Sequence, residues 1–233
     1  MRISVIMPVL NEEQILGKTL SHVVSLSFDE VVVVDGSSRD RTRDLVTSLM
    51  KTNSGNLSLL IASPGRACQM NAGAAISHGD VLVFLHADTQ LPLNARGQIE
   101  QALVNPAFVG GRFDVRFEPE TGWGRLISRL MNWRSRWSGI ATGDQAIFVR
   151  RECFEQLGGF SDVPIMEDID FTRRLKRAGR TAALRSTVVT SYRRWEQRGP
   201  LKTIALMWLL RALYWLGISP YALTRMYAHV RER

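Results

Sequence analysis

Residues 81–89 read Val-Leu-Val-Phe-Leu-His-Ala-Asp-Thr, an unbroken apolar run of strand length that opens onto an imidazole, a carboxylate and a hydroxyl. A run apolar at every position belongs to a strand covered on both faces, and such strands lie in parallel sheets flanked by helices. Ligands of those sheets bind beyond the carboxyl ends of the strands, where Asp88 falls. Taken alone, Asp88 reads equally well as a cap or turn residue for the segment that follows.

The same unit occurs earlier. Ile3 to Val9 is a β-rich run followed by Leu10-Asn11-Glu12-Glu13, after which Leu16, Leu20, Val23 and Val24 recur at helical spacing. Asn11 is expected to cap that helix, with Glu12 and Glu13 in its first turn, where the helix dipole favours them. Val31 to Val34 then form a four-valine strand ending at Asp35, and Gly36-Ser37-Ser38 leads toward a helix marked by Leu45, Val46, Leu49 and Met50. Asp35 at a sheet edge accepts hydrogen bonds from a base or ribose, or closes a turn with Gly36. Leu57 to Ile61 is a third strand, and Ser63-Pro64-Gly65 opens a helix of small residues suited to close packing on a sheet. Arg66 stands at its start, where the dipole disfavours a cation and an anionic ligand would account for it. The Asp35 turn is neither a dinucleotide GxGxxG nor a P-loop. Alternating strands and helices predict an α/β fold with a doubly wound, mostly parallel central sheet.

Length and charge set the wider limits. A chain of 233 residues, 45% hydrophobic, suits one domain with a sizeable core, with or without an appendage. Cys68 and Cys153 are the only cysteines, with no CxxC, which argues against a disulfide scaffold or structural zinc and for reduced thiols in a cytosolic setting. The first residues form a strand rather than a secretory signal, so the expected location is cytoplasmic, peripheral at the inner face of the membrane. The net charge of +8 is lopsided: residues 1–122 carry net −3 and residues 123–233 net +11, mostly as arginine. Arginine's planar fork fits phosphate, so a diphosphate or an anionic membrane surface would meet this half, unless it is simply a solvated basic face. No RNA-binding or OB motif is visible, and no nucleic acid is expected.

The second half carries further candidates. Gly110 to Phe117 alternates as a half-buried strand does, and Trp123 to Trp137 holds three Trp with Arg125, Arg129, Arg134 and Arg136. That basic aromatic segment faces an acceptor or membrane, or packs its Trp residues in the core. Gly143-Asp144-Gln145 precedes an apolar strand, and Glu167-Asp168-Ile169-Asp170-Phe171 opens a helix whose dipole favours the acidic residues. Leu201 to Ile218 is apolar nearly all round but has Arg211 in its middle, which makes it marginal for spanning a bilayer. An interfacial or packed helix is expected, with a second from Pro220 to Val230, docked on the domain, at a membrane or in a homodimer contact.

Three of these motifs, Ile-Met-Pro-Val-Leu-Asn-Glu-Glu at 6–13, Val-Val-Asp-Gly-Ser-Ser-Arg-Asp-Arg-Thr at 33–42 and Phe-Leu-His-Ala-Asp-Thr at 84–89, together resemble the family 2 glycosyltransferases of the GT-A fold. The chain is most similar to their small bacterial branch found beside radical-SAM and selenium-domain proteins. The resemblance implies a nucleotide-sugar donor held by Pro8, Asn11, Glu12, Asp35, Arg66, His86, Ala87, Asp88, Arg193 and Arg194. In that family the Asp at the end of the second strand reads the nucleobase or ribose, here Asp35, and the final Asp of the DxD-like motif binds a divalent cation, here Asp88. Mn²⁺ or Mg²⁺ is the implied cofactor. His86 stands at the first DxD position, and imidazole suits Mg²⁺ poorly. Gly36 likewise replaces a more usual Asp.

The family's acceptor-activating base falls on the Glu167-Asp168 pair, Asp168 first, with Asp144 next. Ser191-Tyr192-Arg193-Arg194-Trp195 partly resembles the QxxRW of processive relatives, but Ser191 replaces Gln, so processivity is not implied. The expected organisation is a GT-A domain at 1–199, with a nucleotide-sugar half at 1–90 and an acceptor half at 91–199, and a membrane-associated helical appendage at 200–233. The expected reaction is inverting, metal-assisted transfer to the hydroxyl of an unknown acceptor, lipid-linked acceptors among the candidates. Two other readings share the fold: a non-catalytic nucleotide-binding or membrane scaffold, and nucleotidyl transfer. The latter is disfavoured because no triphosphate loop with a following Lys succeeds the first strand.

Overall fold

Apolar runs that cannot be solvated on either face become the middle of a sheet. The computed structural model, which describes residues 1–52 and 55–231, places strands β1 (Ile3–Val9), β2 (Glu30–Asp35), β3 (Leu57–Ile61) and β4 (Val81–Phe84) side by side and parallel. Helices α1 (Leu16–Ser25), α2 (Thr42–Thr52) and α3 (Arg66–Ile76) connect them. The chain continues through β5 (Thr89–Gln90), α4 (Ala95–Ala102), β6 (Phe108–Glu118), α5 (Gly122–Ser138), a 3-10 turn at Gly143–Gln145 and β7 (Ile147–Arg150). It ends with α6 (Arg151–Gln156), α7 (Glu167–Ala178), β8 (Arg180–Ser191), α8 (Arg193–Arg198), α9 (Pro200–Trp215) and α10 (Pro220–Arg231). One eight-stranded sheet results, ordered β3-β2-β1-β4-β7-β6-β8-β5, with antiparallel pairing at β4–β7, β7–β6 and β8–β5.

Two-residue alternation sorts the strand side chains into two cores. Val5, Met7, Val31 and Val33 pack with Leu16, Leu20 and Val23 of α1, Val46 of α2 and Ile99 of α4. Ile6, Val32 and Val34 face the other way, onto Met70 and Ala74 of α3 and Phe154, Phe171 and Leu175 of α6 and α7. The small residues of α3 serve this packing: a Cβ on Gly73 would lie 2.6 Å from Ile6 Cγ2 and 2.8 Å from Val34 Cγ2.

One expectation is corrected and two open alternatives are narrowed. Helix α1 starts at Leu16 behind Ile15, with no side-chain cap and no acidic residue in its first turn, so Asn11, Glu12 and Glu13 lie before the helix. Residues 122–138 form an amphipathic helix whose Trp133 and Trp137 are 66% and 82% exposed, so these two rings are not core residues. They stack on each other with centroids 6.3 Å apart. No helix among the described residues is long and apolar enough to cross a membrane. Instead α9 lies beside α7, where Arg173 is 5.8 Å from the Trp215 ring centroid and burial and nearby Asp170 push the Tyr214 hydroxyl up, and α10 reaches the loop before α7, Tyr221 donating to the Asp162 carbonyl at 3.1 Å.

The close approach of α3 to the sheet predicts that Gly73→Ala destabilises the protein by about 1–2 kcal/mol, overpacking outweighing the helix propensity that Ala gains. The midpoint of urea unfolding reads this directly; an unchanged or raised midpoint would contradict the packing.

Candidate active site

The site begins where β4 stops following β1. Their pairing ends at Ile6 and Phe84, closed by the Leu85 N–H donating to the Ile6 carbonyl at 3.0 Å. Pro8 lies two residues on and faces the same side, where no strand continues, so its missing N–H leaves no gap in the ladder. On the other side β1 stays with β2 as far as Val9 and Asp35. Buried Gln69 closes that end, its Nε2 donating to the carbonyls of Val9 at 2.8 Å and Val34 at 2.7 Å. A crevice therefore opens at the carboxyl ends of β1 and β4, where the strand order reverses, the usual ligand site of such sheets.

The loops after β1 and β2 form one wall. Asn11, left-handed at φ 55°, donates its N–H to Ser38 Oγ at 2.9 Å and accepts from the Arg39 N–H at 2.8 Å. The Glu12 N–H donates to Thr42 Oγ1, and Glu13 accepts from the Arg41 N–H. Asp35 is wholly buried: Oδ2 accepts from the Ser38 N–H at 3.0 Å and lies 3.7 Å from Arg43 Nε, while Oδ1 has no hydrogen-bond partner among the described residues. Glu12 leans into the crevice. Burial pushes its carboxyl up, Arg193 at 3.6 Å opposes the rise, and Asp88 adds to it. Asp88 and Arg193 both lie near Glu12. The Arg194 side chain lies outside what the structure describes.

The opposite wall is built from distant segments. His86 Nδ1 is 3.1 Å from Asp144 Oδ1; since a carboxylate only accepts, Nδ1 carries the hydrogen. The other edge of the ring lies against the backbone, where a Cβ on Gly143 would come within 2.3 Å of Nε2. The Gly143 N–H in turn donates to Asp168 Oδ2 at 2.8 Å, and Asp168 Oδ1 accepts from the Ile169 N–H at 2.7 Å. Met166, left-handed at φ 69°, turns the chain so that α7 begins at Glu167 and Asp168. Glu167 is buried and pairs with Arg66 at 3.2 Å. Partial burial works against the Arg66 cation, and Glu167, Asp168 and Asp144 more than offset it.

Of the residues singled out by sequence, the structure gathers His86, Asp144, Glu167, Asp168 and Arg66 into one connected group, and Glu12, Asp88 and Arg193 into a second beside it. Asp35 closes its own turn at the edge of the crevice. Gln69 escaped the sequence reading because nothing marks a single Gln as the partner of two strand-end carbonyls. The described residues contain no group of three or more potential metal ligands. His86, held by Asp144 and packed on Gly143, does not complete one. Half-buried Asp88 fits a different arrangement, a hard divalent cation held by one carboxylate and completed by the oxygens of a bound diphosphate, as Mg²⁺ and Mn²⁺ sites often are.

Glu167 gives the site a pH signature. Burial raises its carboxyl above the ordinary 4.5, Asp168 adds to the rise and Arg66 opposes it. Folding then takes up a proton at Glu167, and the stability this contributes is complete below pH 4.5 and lost as pH rises through the folded value. Measured by urea midpoints, the stability of wild type relative to Glu167→Gln is therefore greater at about pH 4 than at about pH 8. An equal difference at both would show that folding leaves the Glu167 carboxyl at its ordinary value.

Comparison with known proteins agrees with this geometry. The family model "Glycosyl transferase family 2" matches residues 4–158, which hold both walls as far as Asp144. A probable glycosyltransferase of Bacillus subtilis (strain 168), YdaM, is 29% identical over 84% of this chain and 50% of its own length. The undecaprenyl-phosphate 4-deoxy-4-formamido-L-arabinose transferase of Pseudomonas aeruginosa (strain LESB58) is 30% identical over 64% of this chain and 46% of its own. The chain thus spans about half the length of these curated relatives. Among solved structures, the mannosyltransferase PcManGT from Pyrobaculum calidifontis in complex with GDP-Man and Mn²⁺ superposes with TM-score 0.71 at 21% identity, covering 97% of this chain and 64% of that one. The sheet with its switch-point crevice is the GT-A fold, and with a family match over 4–158 the chain belongs to glycosyl transferase family 2.

Proposed function

We propose that the protein transfers a sugar, with inversion, from a nucleotide-sugar donor to an acceptor hydroxyl, Asp88 holding a divalent cation at the donor diphosphate and Asp168 acting as base. The observation that carries this reading is the short path between the two carboxylates. Asp88 follows His86 in the chain, His86 meets Asp144, and Gly143 donates to Asp168, so two hydrogen bonds, at 3.1 and 2.8 Å, tie the donor end of the crevice to the acceptor end. A base and a leaving-group site must hold a fixed relation for in-line displacement, and this linkage supplies it. PcManGT, described with GDP-Man and Mn²⁺, supports the donor class and the cation.

In the proposed reaction Asp35 and the Asn11–Ser38 wall meet the nucleoside, and Arg193 and Asp88 face the diphosphate. The acceptor oxygen attacks the anomeric carbon from the Asp168 side. Asp168 takes the hydroxyl proton as the new glycosidic bond forms, and the bond to the diphosphate breaks on the opposite face. Backbone N–H groups from Gly143 and Ile169 keep the Asp168 carboxylate oriented before the reaction starts. A cation at Asp88 would neutralise charge building on the departing diphosphate. Glu167 is buried against Arg66 and positions that arginine rather than meeting substrate.

The acceptor proposed is one presented at a membrane surface. Trp123, Leu126, Leu130, Trp133 and Trp137 form one exposed stripe on α5, and Arg125 and Arg129 flank it. Exposed aromatics beside cations match the headgroup region of an anionic bilayer.

Three experiments test this. Asp168→Asn is expected to lower nucleoside diphosphate release from a responsive sugar nucleotide by about 10²–10⁴-fold with unchanged donor affinity. Mn²⁺ should raise Tm only when a nucleoside diphosphate is present, and Asp88→Ala should remove that rise. Near-normal turnover in the first variant would displace the base, and an unchanged metal response in the second would displace the metal site. The membrane proposal predicts that Trp133→Ala/Trp137→Ala loses sedimentation with vesicles containing phosphatidylglycerol; undiminished sedimentation would refute it.

A further inference from the structure

Gly36 makes room for the amide of Gln69. A Cβ at position 36 would lie 3.0 Å from Gln69 Cδ and Oε1 and 3.1 Å from Nε2, so the amide lies across the Gly36 backbone and fills the space a side chain there would need. On the other side of Asp35, Gln69 Nε2 donates to the Val34 carbonyl at 2.7 Å and reaches the Val9 carbonyl at 2.8 Å. One amide thus touches the residues before and after Asp35. The peptide groups between them are tied as well: the Gly36 N–H donates to the Val9 carbonyl at 2.9 Å, and the Asp35 carbonyl accepts from the Ala62 N–H at 2.9 Å. Little backbone freedom is left at Asp35.

Its side chain is engaged through one oxygen. Asp35 is wholly buried; Oδ2 accepts from the Ser38 N–H at 3.0 Å and lies 3.7 Å from Arg43 Nε, whereas Oδ1 has no hydrogen-bond partner among the described residues. A buried carboxylate oxygen without a donor is unfavourable for the free protein, and a ligand donor would remove that cost. A nucleobase N–H or a ribose hydroxyl is such a donor. Hydrogen bonds weaken steeply with angle, so the gain depends on where Oδ1 is aimed. That aim follows from the backbone at 34–36, which Gln69 holds.

We infer that Gln69 and Gly36 form a positioning pair for Asp35: together they aim Oδ1 at a hydrogen-bond donor of the bound nucleoside, and so set how much the nucleoside, as distinct from the diphosphate, contributes to binding. The inference rests on the reading of the crevice as the nucleotide-sugar site. Gln69 acts through Asp35 and not on the ligand. Its helix, α3, is seated on the sheet through Gly73, so the packing of that helix reaches the nucleoside through a single side chain. Each member of the pair needs the other: a larger residue at 36 would displace the amide, and without the amide the turn after β2 loses its support from α3.

The test is equilibrium binding in the presence of Mn²⁺. The ligands are inorganic pyrophosphate and whichever of UDP, GDP, ADP and dTDP binds wild type most tightly; the proteins are wild type, Gln69→Met, Gly36→Ala and the double variant. The ratio of the two affinities isolates the nucleoside. Each single variant is expected to lose about ten-fold in this ratio with pyrophosphate affinity unchanged. The double variant should lose no more than either single one, because both substitutions release the same contact. Gly36→Ala keeps every hydrogen-bonding group, so it carries the test alone if Gln69→Met does not fold. An unchanged ratio, additive losses, or equal losses of pyrophosphate and nucleotide affinity would overturn the role. The base-N-methylated and 2′-deoxy analogues of the same nucleotide identify the donor: wild type should discriminate against one of them and the variants should not, and discrimination against neither would also overturn the role. Wild type that binds pyrophosphate and no nucleoside diphosphate more tightly contradicts the positioning pair. Wild type that binds neither contradicts the transferase reading itself, and the pair with it.

Discussion

The structure depends on one interruption in a hydrogen-bond ladder. β1 is a central strand, yet it is paired on both sides only as far as Ile6; beyond that β4 departs and Pro8 tolerates the unpaired edge. Every polar group of the proposed site lies around this opening. Gln69, reaching from α3, adds a second hydrogen bond to the Val9 carbonyl, which already accepts from the Gly36 N–H, and donates to the Val34 carbonyl, fixing the β1–β2 edge beside the parting. The close seating of α3 through Gly73 places Gln69 there, and the same helix brings Arg66 to Glu167. The packing that stabilises the sheet and the placement of charge in the crevice have one origin.

Charge is arranged in two steps along the crevice. At one end Glu12, Asp88 and Arg193 leave a carboxylate half-exposed beside a cation, a setting for a metal-bound diphosphate. At the other, Glu167 is buried and matched by Arg66, while Asp168 is held by two backbone N–H groups and left half-exposed. Burial gives the adjacent acids of α7 different surroundings.

Much of this was legible in the sequence, for physical reasons. Val31 to Val34 and Val81 to Leu85 have only one favourable environment, between two layers, so the parallel sheet and the positions of Asp35 and Asp88 at its edge followed from them. The Glu167-Asp168 pair was legible through a helix start that the dipole rewards. Asn11 was misread because capping is local, whereas its side chain accepts from Arg39, 28 residues away. Strand β8 left little trace, since Arg180 to Ser191 mixes Ala, Thr and Arg with few apolar residues and gains its order from pairing with β6. The Trp residues of α5 could have lain on either side, because helical spacing fixes which residues share a face but not which face meets the core.

A structure of the protein with a nucleoside diphosphate and Mn²⁺ would test the central claim most directly. The account predicts the nucleoside against Asp35 and the Asn11–Ser38 wall, the diphosphate between Asp88 and Arg193, and Mn²⁺ coordinated by Asp88 and the diphosphate oxygens with His86 still bonded to Asp144. A nucleotide bound away from the parting of β1 and β4, or a metal coordinated by His86 in place of Asp88, would contradict it.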